Sequence, residues 1–125
     1  MIASIELPAE YIGICHGQKR ARTSKLSIGG NSWQRVLDLT RLSGSTRYVT
    51  GHGAALYLDH DSFEAAGIGV DYMCYSKKIW PQLGINFTPY VSVLDLIANT
   101  GPTAITYLQP VTQNWRSFLS KRVLK

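Results

Sequence analysis

Thr46-Arg-Tyr-Val-Thr-Gly-His-Gly-Ala-Ala-Leu-Tyr-Leu-Asp-His-Asp-Ser-Phe-Glu-Ala-Ala-Gly-Ile-Gly-Val-Asp-Tyr-Met-Cys-Tyr75 reads as one strand, turn, helix, strand unit around which the rest of the chain packs. Tyr48 and Val49 favour a strand, and Gly51-His52-Gly53 ends it, because two glycines permit backbone angles that other residues resist. Ala54, Ala55, Leu56, Tyr57 and Leu58 then favour helix. Asp61 or Ser62 can cap a second helical turn through Phe63-Glu64-Ala65-Ala66, and Gly67 suits the position just past its end. Ile68, Val70, Tyr72 and Cys74 alternate with Gly69, Asp71, Met73 and Tyr75, the period of two that gives a strand two unlike faces. Strands joined by a helical crossover of this length pair in parallel, with a right-handed connection.

Working outward, Asn31 or Ser32 can cap a helix from Trp33 to Leu42, in which Val36, Leu37, Leu39 and Leu42 form an apolar stripe while Gln34, Arg35, Asp38 and Arg41 stay polar. Gly44 ends it. Residues 1–30 carry less signal: Tyr11-Ile-Gly-Ile-Cys15 fits a short strand, but Lys19 to Lys25 is basic and Ser27 to Asn31 glycine-rich, so this part reads as a poorly defined basic leader. Cys15-His16 would point to opposite faces of a strand, which makes the pair incidental rather than a nucleophile and its base. Downstream of Tyr75, Pro81 and Pro89 hold residues 76–89 as a loop, because proline lacks the amide proton that a ladder or helix interior needs. A loop of this length inside a domain is more often functional than idle. Ser92 and Asp95 form a start resembling a capping box for the helix to Asn99, with Asp in place of the usual Glu. Thr103 to Leu108 fits a further strand and Asn114 to Arg122 a basic terminal helix.

With 125 residues and 45% hydrophobic content, the chain can bury one core and is too short for two full domains. The net charge of +5 collects toward the ends, at Lys19, Arg20, Arg22 and Lys25 and at Arg116, Lys121, Arg122 and Lys125. Solvated termini explain this as well as phosphate binding does, and without basic and aromatic residues interleaved, nucleic acid is not the expected partner. Two cysteines far apart, with no CxxC pair and no secretory leader, point to a reduced cytoplasmic setting. No apolar run reaches the roughly 18 residues of a membrane span.

Three clusters carry candidate chemistry. Gly51, His52 and Gly53, between strand and helix, can offer amide protons to a phosphate or carboxylate, although a simple turn accounts for the glycines. The dinucleotide fingerprint is incomplete, since Leu56 takes the third glycine position even though Asp71 lies where a ribose-binding acid would. Asp59-His60-Asp61 lacks the spacing of three or four that puts metal ligands on one helix face, so no metal site is assigned and an N-cap cluster is the expectation. His60 has the chemistry of a general base but no nucleophile placed beside it. Trp80-Pro81-Gln82 and Asn86-Phe-Thr-Pro-Tyr90 combine rings with amides, which suits a sugar, base or amino-acid-like ligand oriented by Gln82, Asn86 and Tyr90. The alternative is a loop pinned by its own prolines and aromatics.

Gly44 to Tyr48, Thr50-Gly51, Tyr57-Leu58, Phe63, Gly67-Ile68, Val70, Tyr75, Pro81-Gln82, Phe87, Pro89, Ser92, Leu94-Asp-Leu96 and Asn99-Thr-Gly101 together resemble the carboxy-terminal half of the WbqC-like proteins. The resemblance runs from Asn31 to Gly101, and the family's amino-terminal motifs are absent, so it implies a truncated member. Trp80 and Asn86 depart from the tyrosine and acid usual in relatives. The family is associated with bacterial surface-polysaccharide and related gene clusters. The resemblance therefore implies a transferase-like role on a small activated metabolite, such as a nucleotide sugar or an amino-acid-like compound, with no defined reaction and no identified cofactor. The expected fold is α/β, a small single domain in the order helix, strand, helix, strand, helix with mainly parallel strands, open to being part of a larger fold. Residues 1–30 form the leader and 31–125 the WbqC-like region. The alternative is a non-catalytic interaction or remnant domain, whose uncovered apolar faces would favour self-association.

Overall fold

The chain runs α1 (Ala3–Tyr11), α2 (Ser32–Leu42), β1 (Arg47–Thr50), α3 (His60–Ala65), β2 (Gly69–Tyr75), α4 (Val93–Thr100), β3 (Pro110–Asn114) and α5 (Trp115–Val123). The structure is a computed structural model that describes residues 2–14, 17–84 and 86–123, and its contacts gather into two units. One contains Met1–Arg20 and Tyr75–Gln109; the other contains Ala21–Cys74 and Pro110–Lys125 and holds the sheet.

In the sheet-bearing unit, α2 buries Leu37 and Thr40, and the Thr40 hydroxyl satisfies itself on the Val36 carbonyl at 2.8 Å. Asn31 precedes α2 without a side-chain cap bond. At the other end, the N–H of Gly44 donates to the Arg41 carbonyl and that of Ser45 to the Thr40 carbonyl. This paired closure needs a left-handed residue, and Gly44 supplies it at φ +66°. The helix expected over residues 54–58 is a 3-10 helix, His52–Leu56. α3 is capped by Asp59, earlier than the Asp61 or Ser62 that its composition offers, with Asp59 accepting from the Ser62 amide at 3.1 Å.

β1 and β2 pair in parallel, Tyr48 opposite Val70 and Thr50 opposite Tyr72, as their helical crossover requires. The expectation of mainly parallel strands is nevertheless corrected. β3 lies on the far side of β2, in the order β1-β2-β3, and its antiparallel pairing makes the sheet mixed. The short crossover through α3 leaves β1 and β2 little choice of direction. β2 and β3 are instead joined by a long excursion through the other unit that includes α4 and is long enough to bring the chain back in either direction. The first residue of β3 is Pro110, which is tolerated because an edge strand has one side without ladder partners. Phe63, Val70 and Tyr72 are fully buried, with Leu37, Ala54, Leu58, Ile68 and Phe118 around them. Each such large side chain contributes about 1.5–3 kcal/mol by leaving water.

The other unit packs Trp80, Leu96 and Ala104 with Ile12, Phe87, Ile97, Tyr107 and Leu108. The strand expected at Thr103 to Leu108 is absent; Gly101–Tyr107 is a 3-10 helix with Pro102 at its start. Its β-branched residues mimic a strand, but Thr103 and Thr106 return their hydroxyls to carbonyls three residues back, Thr100 at 2.8 Å and Thr103 at 2.8 Å. Ala104 and Tyr107, one 3-10 turn apart, both face the core. The strand expected at Tyr11 to Cys15 also fails to form: Tyr11 ends α1, and Ile12 and Ile14 bond back to Pro8 and Ala9. Cys15 and His16 lie outside the described residues.

Candidate functional site

The loop of residues 76–92 is organised by one carboxylate. Asp95 was expected to cap α4 together with Ser92; instead Ser92 alone accepts from the Leu94 amide, at 3.2 Å. The Asp95 Oδ2 accepts the Trp80 indole N–H at 3.0 Å and the Gln82 amide at 2.9 Å, and its Oδ1 accepts from Asn99 at 3.2 Å. Gln82 also clasps the backbone of Thr88, accepting its N–H at 2.9 Å and donating to its carbonyl at 2.9 Å. The glutamine thus imitates a strand neighbour and braces the loop. Trp80 is buried, with Phe87 edge-on at 4.8 Å between centroids, so both rings pack the core.

The exposed chemistry of the loop falls to Asn86 and Tyr90. Tyr90 is 83% exposed and carries the Lys77 ammonium 4.1 Å from its ring centroid. An exposed ring with a cation on one face offers stacking and a positive charge at a single point. Beside these residues a cleft of about 240 Å³ is lined by Tyr75, Trp80, Pro89, Ser92, Leu96 and Leu108 among others. Lys77 was missed in the sequence; the only signal was its place in the loop.

Gly51, His52 and Gly53 belong to the sheet-bearing unit, whereas Gln82, Asn86 and Tyr90 belong to the other. The His52 ring packs on Phe118 at 4.8 Å, and its Nε2 lies 2.9 Å from the Met73 carbonyl, an acceptor, so Nε2 carries the proton. The side chain is turned onto β2 and α5.

His60 is enclosed in the same unit. Its Nε2 meets the Tyr72 hydroxyl at 2.7 Å, and its ring stacks on Trp115 at 4.6 Å. Tyr72 stacks in turn on Phe118, with 4.1 Å between centroids and 9° between planes. Burial pushes the His60 pKa below its ordinary value, against the opposing pull of Asp61, Asp59 and Glu64. Glu64 binds the Trp115 indole at 2.9 Å and pairs with Arg116, which holds its carboxyl below the usual range. Asp59 is likewise lowered, chiefly by the Ser62 backbone N–H that makes it a cap. The Asp59-His60-Asp61 knot is therefore a helix cap beside a packed imidazole. Among the described residues, no group of three histidines, cysteines or acids could hold a metal ion. Asp71, placed by spacing where a ribose acid would sit, is buried against Arg47 at 2.8 Å.

Comparison with known proteins decides the family. The family model described as "WbqC-like protein family" matches residues 1–107. The chain belongs to the WbqC-like protein family. The match covers residues 1–107, nearly the whole chain, so it overturns the expectation that only the carboxy-terminal half belongs to the family, and with it the ground on which a truncated member was expected. Residues 1–30, which carry few local signals, are family sequence too. A relative in Mycobacterium tuberculosis, "Uncharacterized protein Rv1507c", is 31% identical over 100 residues. The aligned region is 79% of this WbqC-like chain and 42% of that protein, so the match spans less than half the length of this curated relative. No solved structure matches the chain significantly. Among the described residues, no helix is long and apolar enough to cross a membrane.

Proposed function

We propose that this WbqC-like protein binds a small activated metabolite, a nucleotide sugar or an amino-acid-like compound, for a transferase-like step in bacterial surface-polysaccharide or related biosynthesis in the cytoplasm. The observation that carries the ligand assignment is the Lys77 ammonium 4.1 Å over the exposed Tyr90 ring. Tyr90 stacks a base or sugar face, Lys77 meets the anionic group and Asn86 orients the ligand through its amide. Gln82 acts one step back, as the brace that holds Thr88 and therefore Tyr90 in place. At Gly51, His52 and Gly53 an anionic group would meet the backbone amides and not the imidazole, since the His52 ring is engaged with Met73 and Phe118.

The test is calorimetric titration of the full chain with UDP-glucose and, separately, with amino acids. Stacking of a base on an aromatic ring is worth about 1–3 kcal/mol, so Tyr90→Ala weakens a stacked nucleotide about fivefold to a hundredfold. Lys77→Ala weakens the anionic ligand and spares a neutral one. An affinity that neither substitution moves refutes the assignment.

A second reading is favoured by one observation: Ile5, Leu7 and Tyr11 along α1 are 67%, 64% and 55% exposed. A non-catalytic interaction domain that self-associates through α1 fits this surface. Its mark is an apparent mass that rises with concentration in light scattering and falls back in Leu7→Glu.

A further inference from the structure

The Gly44 closure of α2 has a chemical by-product. Because the chain reverses through a left-handed glycine, Ser43 and Ser45 come together on one side of the turn, with their hydroxyl oxygens 2.8 Å apart. Ser43 donates its single proton to the Thr40 carbonyl at 2.7 Å, so the bond between the two serines is donated by Ser45. Each hydroxyl therefore keeps acceptor capacity, and both residues are exposed. Two residues on, Arg47 spends one N–H on the buried Asp71, while its side chain is 67% exposed. A guanidinium has five N–H donors in a fixed fork, and Asp71 anchors this one while leaving most of that fork to solvent.

These groups share one cleft. It measures about 330 Å³ and is lined by Ser43, Ser45 and Arg47 together with Val36, Leu39, Thr40, Tyr48 and Val49, all within the sheet-bearing unit. That volume lies at the lower end of small-molecule sites, and apolar walls with a few convergent polar groups are their usual composition. The polar set has a definite order: a cationic fork beside paired acceptors.

We infer that this cleft between α2 and β1 binds a small anionic metabolite, whose carboxylate or phosphate meets Arg47 while a neighbouring N–H or O–H donates to the oxygens of Ser43 and Ser45. Asp71 is a positioning residue that holds the guanidinium in place. The inference stands apart from the Tyr90 loop and needs nothing from it. An amino acid supplies the pattern as carboxylate and ammonium, with its side chain on Val36, Leu39 and Val49. A sugar phosphate supplies it as phosphate and hydroxyl.

The experiment is amide NMR of the full chain, titrated with L-leucine and, separately, with glucose 1-phosphate at millimolar concentration. Saturable shifts of the Ser43 to Tyr48 amides are expected with one probe, and which probe acts identifies the carboxylate or the phosphate as the ligand group. Ser45→Ala, on the exposed turn, keeps the fold, and Arg47→Lys keeps a cation for Asp71 while losing the fork. Each weakens binding about tenfold, as expected for one lost hydrogen bond to a charged or well-placed group. Tyr90→Ala leaves these shifts unchanged. The inference is overturned if neither probe moves these amides, or if both Ser45→Ala and Arg47→Lys bind like the parent chain.

Discussion

At the scale of single residues, His60 carries the clearest pH dependence. Burial lowers its pKa in the folded chain, so below the ordinary histidine value near 6.5 the unfolded chain takes up a proton that the folded chain resists. Stability therefore falls as pH drops through 6.5 and levels off below the lowered folded pKa. Denaturant unfolding between pH 7.5 and 5 should show this loss, and His60→Gln should remove it from that window. An unchanged slope in the variant would assign the effect elsewhere. The partner hydroxyl is tested differently: Tyr72→Phe leaves the buried imidazole without its 2.7 Å bond, and a polar group stranded this way costs about 1–3 kcal/mol in unfolding free energy.

At the scale of elements, Asp95 is the residue on which the loop of residues 76–92 depends. Asp95→Asn keeps the shape but removes the charge that receives Trp80 and Gln82, and charge-assisted bonds of this kind contribute about 1.5–3 kcal/mol each. The expected outcome is faster proteolysis at the loop with the α3 and β2 amides still protected from exchange. The loop was legible as a loop, because Pro81 and Pro89 forbid anything else. Its internal wiring was not. Ser92 and Asp95 stand at capping-box spacing, and only packing shows that the carboxylate turns toward Trp80 instead. The same limit applies to Thr103 to Leu108, where β-branched residues carry a strand signal that Pro102 and the burial of Ala104 override.

At the scale of the whole molecule, the family match stops at residue 107, and β3 and α5 lie beyond it. Yet α5 supplies Phe118 to the sheet-bearing core and stacks Trp115 on His60. Phe118→Ala should cost about 3–5 kcal/mol, the usual penalty for emptying a buried aromatic site. Hydrogen exchange resolved by residue should place that loss in Ala21–Cys74 and leave the Trp80, Leu96 and Ala104 cluster protected. Uniform loss across both would show that the chain opens as one cooperative body.

Local chemistry determined much of this protein. The alternation from Ile68 to Cys74, the end of β1 before Gly51, the stop signals at Gly44 and Gly67 and the prolines of the loop each act through neighbours in the chain, and each is visible without tertiary structure. So is the parallel pairing of β1 with β2, since a short helical crossover permits little else. Tertiary structure alone decided that β3 makes the sheet mixed, that Gln82 braces rather than projects, that His60 is packed between Tyr72 and Trp115, and that Arg47 is anchored by Asp71 beside Ser43 and Ser45. These depend on contacts between residues 12 to 55 positions apart or on rivals for one side chain's hydrogen bonds. Propensity and periodicity describe a residue's nearest neighbours along the chain, and which distant partner wins is settled only when the core closes.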